Sequence, residues 1–238
     1  MLRVIMPLLV LSLLLGSFQP AVAGPANYQN YADRLLVVVK TPQLSPGQSG
    51  PLELKVLNPF NHTIANASVR LVIYGYATTD SDASVVSLPS SQRPSFVGGG
   101  TAAYRNLSSL GPLASVYLNF TVATTQSTRH GDFFNTGTYF VSTYLSFSLN
   151  GSTIRMASKG VFNQTQWSRI LVQGTGTTYL NYSYLNGTLG YQGVLPDTSF
   201  TVNSPSPVYL LWITGGLAGV FAAFSYVLYR VEKKRRHI

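Results

Sequence analysis

Apolar and polar residues alternate with a period of two through the middle of the chain, the pattern of strands with one buried and one wet face. Leu52, Leu54 and Val56 alternate with Glu53 and Lys55, and Val69, Leu71 and Ile73 alternate with Ser68, Arg70 and Val72. Val116, Leu118, Phe120 and Val122 share a face, opposite Ser115, Tyr117, Asn119 and Thr121. A longer strand runs from about Thr138 to Leu149, with Val141, Leu145, Phe147 and Leu149 inward. Asn150 and Gly151 then supply a type I′ turn, whose two central positions both need positive φ, and residues 153–158 return beside it. A second Asn-Gly pair, Asn186 and Gly187, predicts another hairpin, joining residues 177–185 to 188–194. Ser, Pro and Gly fill residues 84–101, which predicts a long exposed loop. No helical period is read between the two ends of the chain, so the elements predict an all-β, immunoglobulin-like antiparallel β-sandwich.

The two ends break the alternation. Arg3 precedes an apolar run from Val4 to about Phe18 and then Ala21, Val22 and Ala23, the parts of a secretory signal cleaved after Ala23. Left uncut, the same run would be a short anchor that exports the same region. From Val208 to Tyr229 there is no charge, and as a helix this stretch spans roughly 33 Å, enough to cross a bilayer. Tyr209, Trp212, Tyr226 and Tyr229 mark its two margins, the headgroup level that amphipathic rings prefer. The basic residues Arg230, Lys233, Lys234, Arg235 and Arg236 follow and orient the tail toward the cytoplasm. The predicted order is therefore a signal peptide (1–23), an extracellular β domain (24–202), a Pro-containing spacer (203–207), a transmembrane helix (208–229) and a cytoplasmic tail (230–238). Within the domain the core spans about 33–160, with the additional hairpin at about 177–194.

The exported region carries Asn-x-Ser/Thr sequons at Asn61, Asn66, Asn106, Asn119, Asn150, Asn163, Asn181 and Asn186. Chance would give about two or three, and the excess predicts a glycoprotein. The strand register places Asn119 on the outward face, where a glycan fits.

Leu54, Val56, Asn58 and the run from Ala67 to Ile73 resemble the opening strands of CARDB/NEW3-type immunoglobulin-like domains of archaeal cell-surface and S-layer-associated membrane proteins. Leu110, Gly111 and Pro112, the strand from Val116 to Val122, and Gly137, Thr138 and Tyr139 are similar to the closing strands. The resemblance covers residues 33 to about 160. It implies a surface or adhesion module and no catalytic residue.

Composition narrows the chemistry. Charged residues make up 10% of the chain, against about 25% in an average soluble domain. The net charge is +9, but the only dense cluster of basic residues is in the tail, and the ten from Arg34 to Arg169 are spread singly, which argues against nucleic acid. Cysteine is absent, removing disulfides, thiolate metal sites and Cys nucleophiles. His130 and Asp132 are the nearest approach to a hydrolytic pair, and His62 sits inside a sequon. Asp80, Asp82 and Ser84 begin like a calcium loop, but Val85 and Ser91 stand where Gly and Glu are needed. Neither metal nor cofactor is expected, and the domain reads as non-enzymatic. Leu195, Pro196, Asp197, Thr198 and Ser199 resemble a sortase signal, with Ser199 in place of Gly and a spacer before the helix, and read as a strand entry. Gly215, Gly219 and Ala223 share one helix face, a spacing that lets two membrane helices approach. The expected partners are the bilayer, a protein or surface glycan outside, and a second copy through that helix face. A second reading makes the chain an accessory subunit of a transport or translocation complex. With only seven Asp and Glu residues, the domain is expected to tolerate acid.

Overall fold

The computed structural model describes residues 28–132, 135–204 and 208–235. The predicted leader, residues 205–207 of the spacer and Arg236 lie outside them. In chain order the strands are β1 (Leu36–Lys40), β2 (Gln43–Leu44), β3 (Ser49–Leu57), β4 (Ile64–Ala77), β5 (Asp82–Ser84), β6 (Ser95–Phe96) and β7 (Ala102–Leu110). They continue as β8 (Ser115–Ala123), β9 (Gly137–Leu149), β10 (Ser152–Ser158), β11 (Leu171–Gln173), β12 (Thr178–Leu180), β13 (Gly193–Leu195) and β14 (Thr198–Val202).

The smaller sheet runs β1-β3-β8-β6 and is antiparallel throughout. The larger is built on the antiparallel pair β4 and β9, with β7 and β5 outside β4 and with β10 and β14 on the far side of β9. β13 runs parallel to β10, and β2 parallel to β14. The chain thus passes from one sheet to the other between Lys40 and Gln43. The period-two register puts Leu52, Leu54, Val56, Leu118, Phe120 and Val122 of the smaller sheet into one core with Val69, Leu71, Ile73, Val141, Leu145 and Phe147 of the larger. This is an immunoglobulin-like antiparallel sandwich.

Asn150 (φ 50°) and Gly151 (φ 78°) take the positive dihedrals expected of the β9–β10 turn. Tyr139, near the start of β9, donates its hydroxyl to the Arg129 carbonyl at 2.6 Å, the backward reach of a tyrosine corner. Buried Asn58 holds the opposite end. Its Nδ2 donates to the carbonyls of His62, Leu110 and Gly111 at 2.8–2.9 Å, and its Oδ1 accepts from Phe60 N at 3.0 Å. One side chain thereby ties the β3–β4 loop to the β7–β8 turn.

The partner strand of β9 is interrupted. β10 pairs with positions 149 to 144 of β9, and β14 resumes at 141 and runs to 137. Between them residues 159–192 leave the sheet and fold into a lobe, which returns through β13. The lobe contains helix Gln164–Ile170, the β11–β12 ribbon and helix Tyr182–Gly187. Phe162, Ile170 and Leu185 pack on Ala157, with Trp167, Tyr144 and Tyr191 at the margin. The edge of β13 is capped by Gln29, whose Nε2 donates to Val194 O (3.0 Å) while its Oε1 accepts from Val194 N (2.6 Å). A side-chain amide here replaces a neighbouring strand and covers an edge that would otherwise recruit one.

The structure corrects three expectations. First, helices do occur between the two ends. Asn163 Oδ1 accepts from Gln166 N (2.8 Å) and Gln166 Oε1 from Asn163 N (3.0 Å), a reciprocal capping box that starts a helix too short to show a period. Second, no hairpin joins residues 177–185 to 188–194. Asn181 Oδ1 accepts from Tyr184 N and opens a helix instead, so Asn186 and Gly187 are its last residues. Third, residues 84–101 are not simply an exposed loop. Val85, Leu88 and Phe96 are buried in the sandwich core, and β6 pairs with β8.

The C-terminal helix spans Val208–Arg235, and its stretch Trp212–Arg230 is long and apolar enough to cross a membrane. Among the described residues nothing covers that stretch: Trp212 is 78% and Phe221 71% exposed.

Candidate functional site: a groove on the larger sheet

The outer face of the larger sheet carries a groove of about 610 Å³ near the end from which the chain leads to the C-terminal helix. Its floor is one register row across four strands. Ser84 of β5 pairs with Gly75 of β4, Gly75 with Phe140 of β9, and Phe140 with Ser199 of β14. Small residues thus surround a single aromatic ring. The neighbouring row points inward and is the reverse, with Tyr76, Tyr139 and Phe200 side by side. Ring centroids there lie 4.8 Å and 5.4 Å apart, the second pair stacked. Large rings inside support a row of small residues outside.

A β-bulge sets the groove's wall. Ile73 pairs with Val141 but Gly75 with Phe140, so Tyr74 is the extra residue, and such bulges re-aim a side chain. The Tyr74 ring lies 6.2 Å from Phe140 at 35°. It packs on Gly160 at the root of the lobe, where any Cβ would fall on the ring. Glycine is therefore required for the lobe's root to approach the sheet. Gly75 leaves the floor open beneath Phe140, and a Cβ there would meet Phe140 Cδ2 at 3.3 Å.

Charge is confined to the rim. Asp82 and Asp197 are exposed at the groove's edges and Lys159 joins them. Gly160 N donates to Asp197 Oδ1 at 3.4 Å, and Lys159 Nζ lies 5.6 Å from the Trp167 ring. Burial, and then the negative charge of Asp197, push the Tyr74 hydroxyl above the usual phenol range. It stays a neutral donor at physiological pH.

The sequence-predicted residues fall elsewhere. Seven sequon asparagines, Asn61, Asn66, Asn106, Asn119, Asn150, Asn163 and Asn186, are exposed, and Asn181 is half-buried. Asn66 sits at a bulge with φ 50°. Asn163, Asn181 and Asn186 use Oδ1 to accept from Gln166 N, Tyr184 N and Gln192 Nε2, whereas an N-glycan is joined through Nδ2, so capping and modification use different atoms. No sequon lies on the strand segments that floor the groove. His130 Nδ1 meets the Gly131 carbonyl, and Asp132 Oδ1 accepts from Asn135 N (3.1 Å). Both are thus turned to the backbone. Asp80 accepts from Asn135 Nδ2 (2.7 Å) in a turn, whereas Asp82 and Ser84 belong to paired strand β5. Thr198, in the sortase-like run, is buried in β14.

Gly215, Gly219 and Ala223 lie on the exposed C-terminal helix, and nothing else stands within 4 Å of a Cβ built at either glycine. Arg230 stacks 5.4 Å from the Tyr226 ring, and Lys233 is exposed. Sequence reasoning missed Tyr74 and Phe140. The available signal was Gly75 inside an apolar strand, which marks a bulge or a close approach.

No family model matches the chain, and no curated protein matches it. Among solved structures it aligns with AggA, the major subunit of aggregative adherence fimbriae type I from Escherichia coli, at 12% identity over 71% of this chain and 95% of that one, with TM-score 0.32. It aligns with the ASH/PapD-like domain 7 of human CEP192 at 9% identity over 52% and 81%, with TM-score 0.29. AvmM, which catalyses macrocyclization in alchivemycin A biosynthesis, aligns at 13% identity over 73% and 91%, with TM-score 0.31. Values this low assign neither a family nor an activity.

Proposed function

We propose that the chain is a single-pass cell-surface glycoprotein whose immunoglobulin-like domain serves envelope structure, adhesion or protein interaction without catalysis. The observation that carries this reading is the uncovered helix. In water, Trp212, Phe221, Phe224 and their neighbours would present one continuous apolar surface, far beyond what soluble monomers tolerate. Lipid is the solvent that such a helix fits. Arg230 and the basic residues after it favour a cytoplasmic tail, which leaves the sandwich and all eight sequons outside. The likeness of residues 33–160 to CARDB/NEW3-type archaeal surface domains accords with that placement. Protease added to intact cells should digest the sandwich and spare a C-terminal tag. Digestion of the tag with protection of the sandwich would refute the topology.

The open face of Gly215, Gly219 and Ala223 supports a second reading, an accessory subunit of a membrane complex or a homodimer held through the helix. Crosslinkers placed on the helix would then capture the partner, and Gly219→Ile would abolish capture. On the first reading capture runs through the ectodomain and Gly219→Ile leaves it unchanged.

A further inference from the structure

The groove can be read further, on the proposal that the domain is an exterior recognition module. We propose that it binds a neutral saccharide, with a pyranose ring stacked against Phe140 and Tyr74 and its hydroxyls held by Asp82, Asp197 and Lys159 at the rim.

Three observations lead there. The first is shape. A groove of about 610 Å³ lies within the usual range of small-molecule sites. Its floor and wall offer two half-buried rings 6.2 Å apart, set among Ser84, Gly75 and Ser199. Aromatic faces carry negative partial charge and attract polarised C–H groups, which line the apolar faces of a sugar ring. The second is charge. Two carboxylates and one ammonium share the rim, so a cationic ligand would meet Lys159 and an anionic one the two aspartates. A polyol supplies donors to the carboxylates and acceptors to the ammonium while bringing no charge to be desolvated.

The third observation is access. The predicted glycan attachment points are Asn61, Asn66, Asn106 and Asn150 around the β9–β10 turn end of the sandwich, Asn119 on the smaller sheet, and Asn163, Asn181 and Asn186 in the lobe. The row that floors the groove carries none. The rings are also pre-set: the bulge aims Tyr74 outward and Gly160 seats it, so little ordering cost falls on binding.

The test uses the full-length glycoprotein in lipid nanodiscs, because sugar-headed detergents would compete. Saturation-transfer NMR is run with maltotriose, cellotriose, chitotriose and mannotriose, and separately with N-glycans released from the protein itself. Binding of at least one probe is expected, with Phe140→Ala and Tyr74→Ala each weakening it about tenfold or more and Asp197→Asn by about tenfold. Tyr74→Phe, which keeps the ring, should retain it within about threefold. Binding of the released glycans alone would place the source on a second copy of this chain, and binding of a trisaccharide alone on a foreign glycan; either supports the proposal. Thermal melts of each variant separate lost binding from lost fold, and outward-facing Phe140→Ala is the variant least tied to the lobe. No transfer to any probe at about 10 mM, or transfer that survives both ring deletions, overturns it. A photo-crosslinker at Ser199 that captures a protein in the absence of saccharide transfer overturns the saccharide and leaves the recognition reading standing. Protection of the sandwich from external protease overturns that reading itself.

Discussion

The sandwich gathers thirty described apolar residues into one core, whereas the lobe inserted at residues 159–192 buries Phe162, Ile170 and Leu185 against Ala157 and leans on rings at its margin. The sandwich is held by long ladders such as β4 with β9. The longest ladder within the lobe is the three-pair ribbon of β11 and β12. Part of the lobe's order therefore comes from local devices, the capping box at Asn163 and the cap at Asn181. The difference separates two ways of specifying structure, by pattern and by punctuation. It also predicts that the two regions unfold with different free energies.

The largest test removes a ring from the core row. Phe200 is 2% exposed and stacked on Tyr139 at 5.4 Å, so Phe200→Ala should cost about 3–5 kcal/mol. Denaturant unfolding of the ectodomain would read this as a shift of the main transition. Ile170→Ala in the lobe should cost about 2–4 kcal/mol locally and leave the main midpoint nearly unmoved. Equal shifts of the main midpoint would erase the distinction between the regions.

Next in size is Asn58, whose side chain joins two loops through four hydrogen bonds while fully buried. Asn58→Leu strands three carbonyls and one amide and should cost about 2–4 kcal/mol, again in the main transition. A loss below about 1 kcal/mol would show that water replaces the amide without penalty.

The same difference decides what could be read in the sequence. β3, β4, β8 and β9 were legible because Leu52, Leu71, Phe120 and Val141 stand in period-two runs long enough to fix a face. The Asn150-Gly151 turn was legible because its dihedrals admit few other residues. Around Asn186 the same dipeptide misled, because the cap at Asn181 had already committed the preceding residues to a helix. The capping box at Asn163 and Gln166 was readable as a motif, but seven helical residues cannot display a period. The groove was hidden for another reason. Its row of Ser84, Gly75, Phe140 and Ser199 exists only after strands distant in sequence are registered, and the bulge at Tyr74 is visible only against β9.

A smaller effect sharpens the lobe's side of the comparison. Asn163 is both a helix cap and a sequon. Asn163→Ser keeps a capping oxygen and removes the sequon, while Asn163→Ala removes both. The difference between the two variants isolates the cap and should be about 1 kcal/mol. Hydrogen exchange should report it in residues 164–170 and not in β4 or β9. If Asn163→Ser matches Asn163→Ala, the capping oxygen does not hold the helix start.

The last contrast lies between acid and alkali. Four phenols are held above their ordinary value of 10.0: Tyr74, Tyr76 and Tyr139 in the sandwich, and Tyr191 in the lobe. Burial is the first cause in each case. For Tyr139 a second is the neighbouring Tyr76 phenol, opposed by Arg129. A phenol whose folded pKa is raised holds its proton more tightly when folded, so its contribution is fully present below pH 10 and is lost as pH climbs toward the folded value. The sandwich should therefore weaken progressively above about pH 10, and Tyr139→Phe should flatten that decline while costing about 1 kcal/mol at neutral pH through the lost bond to Arg129 O. On the acid side only six carboxylates lie between residues 24 and 207, so melting temperature should change less from pH 7 down to about 3 than from 7 up to about 11. A decline of equal slope in both directions would assign the pH response to net charge rather than to the buried phenols.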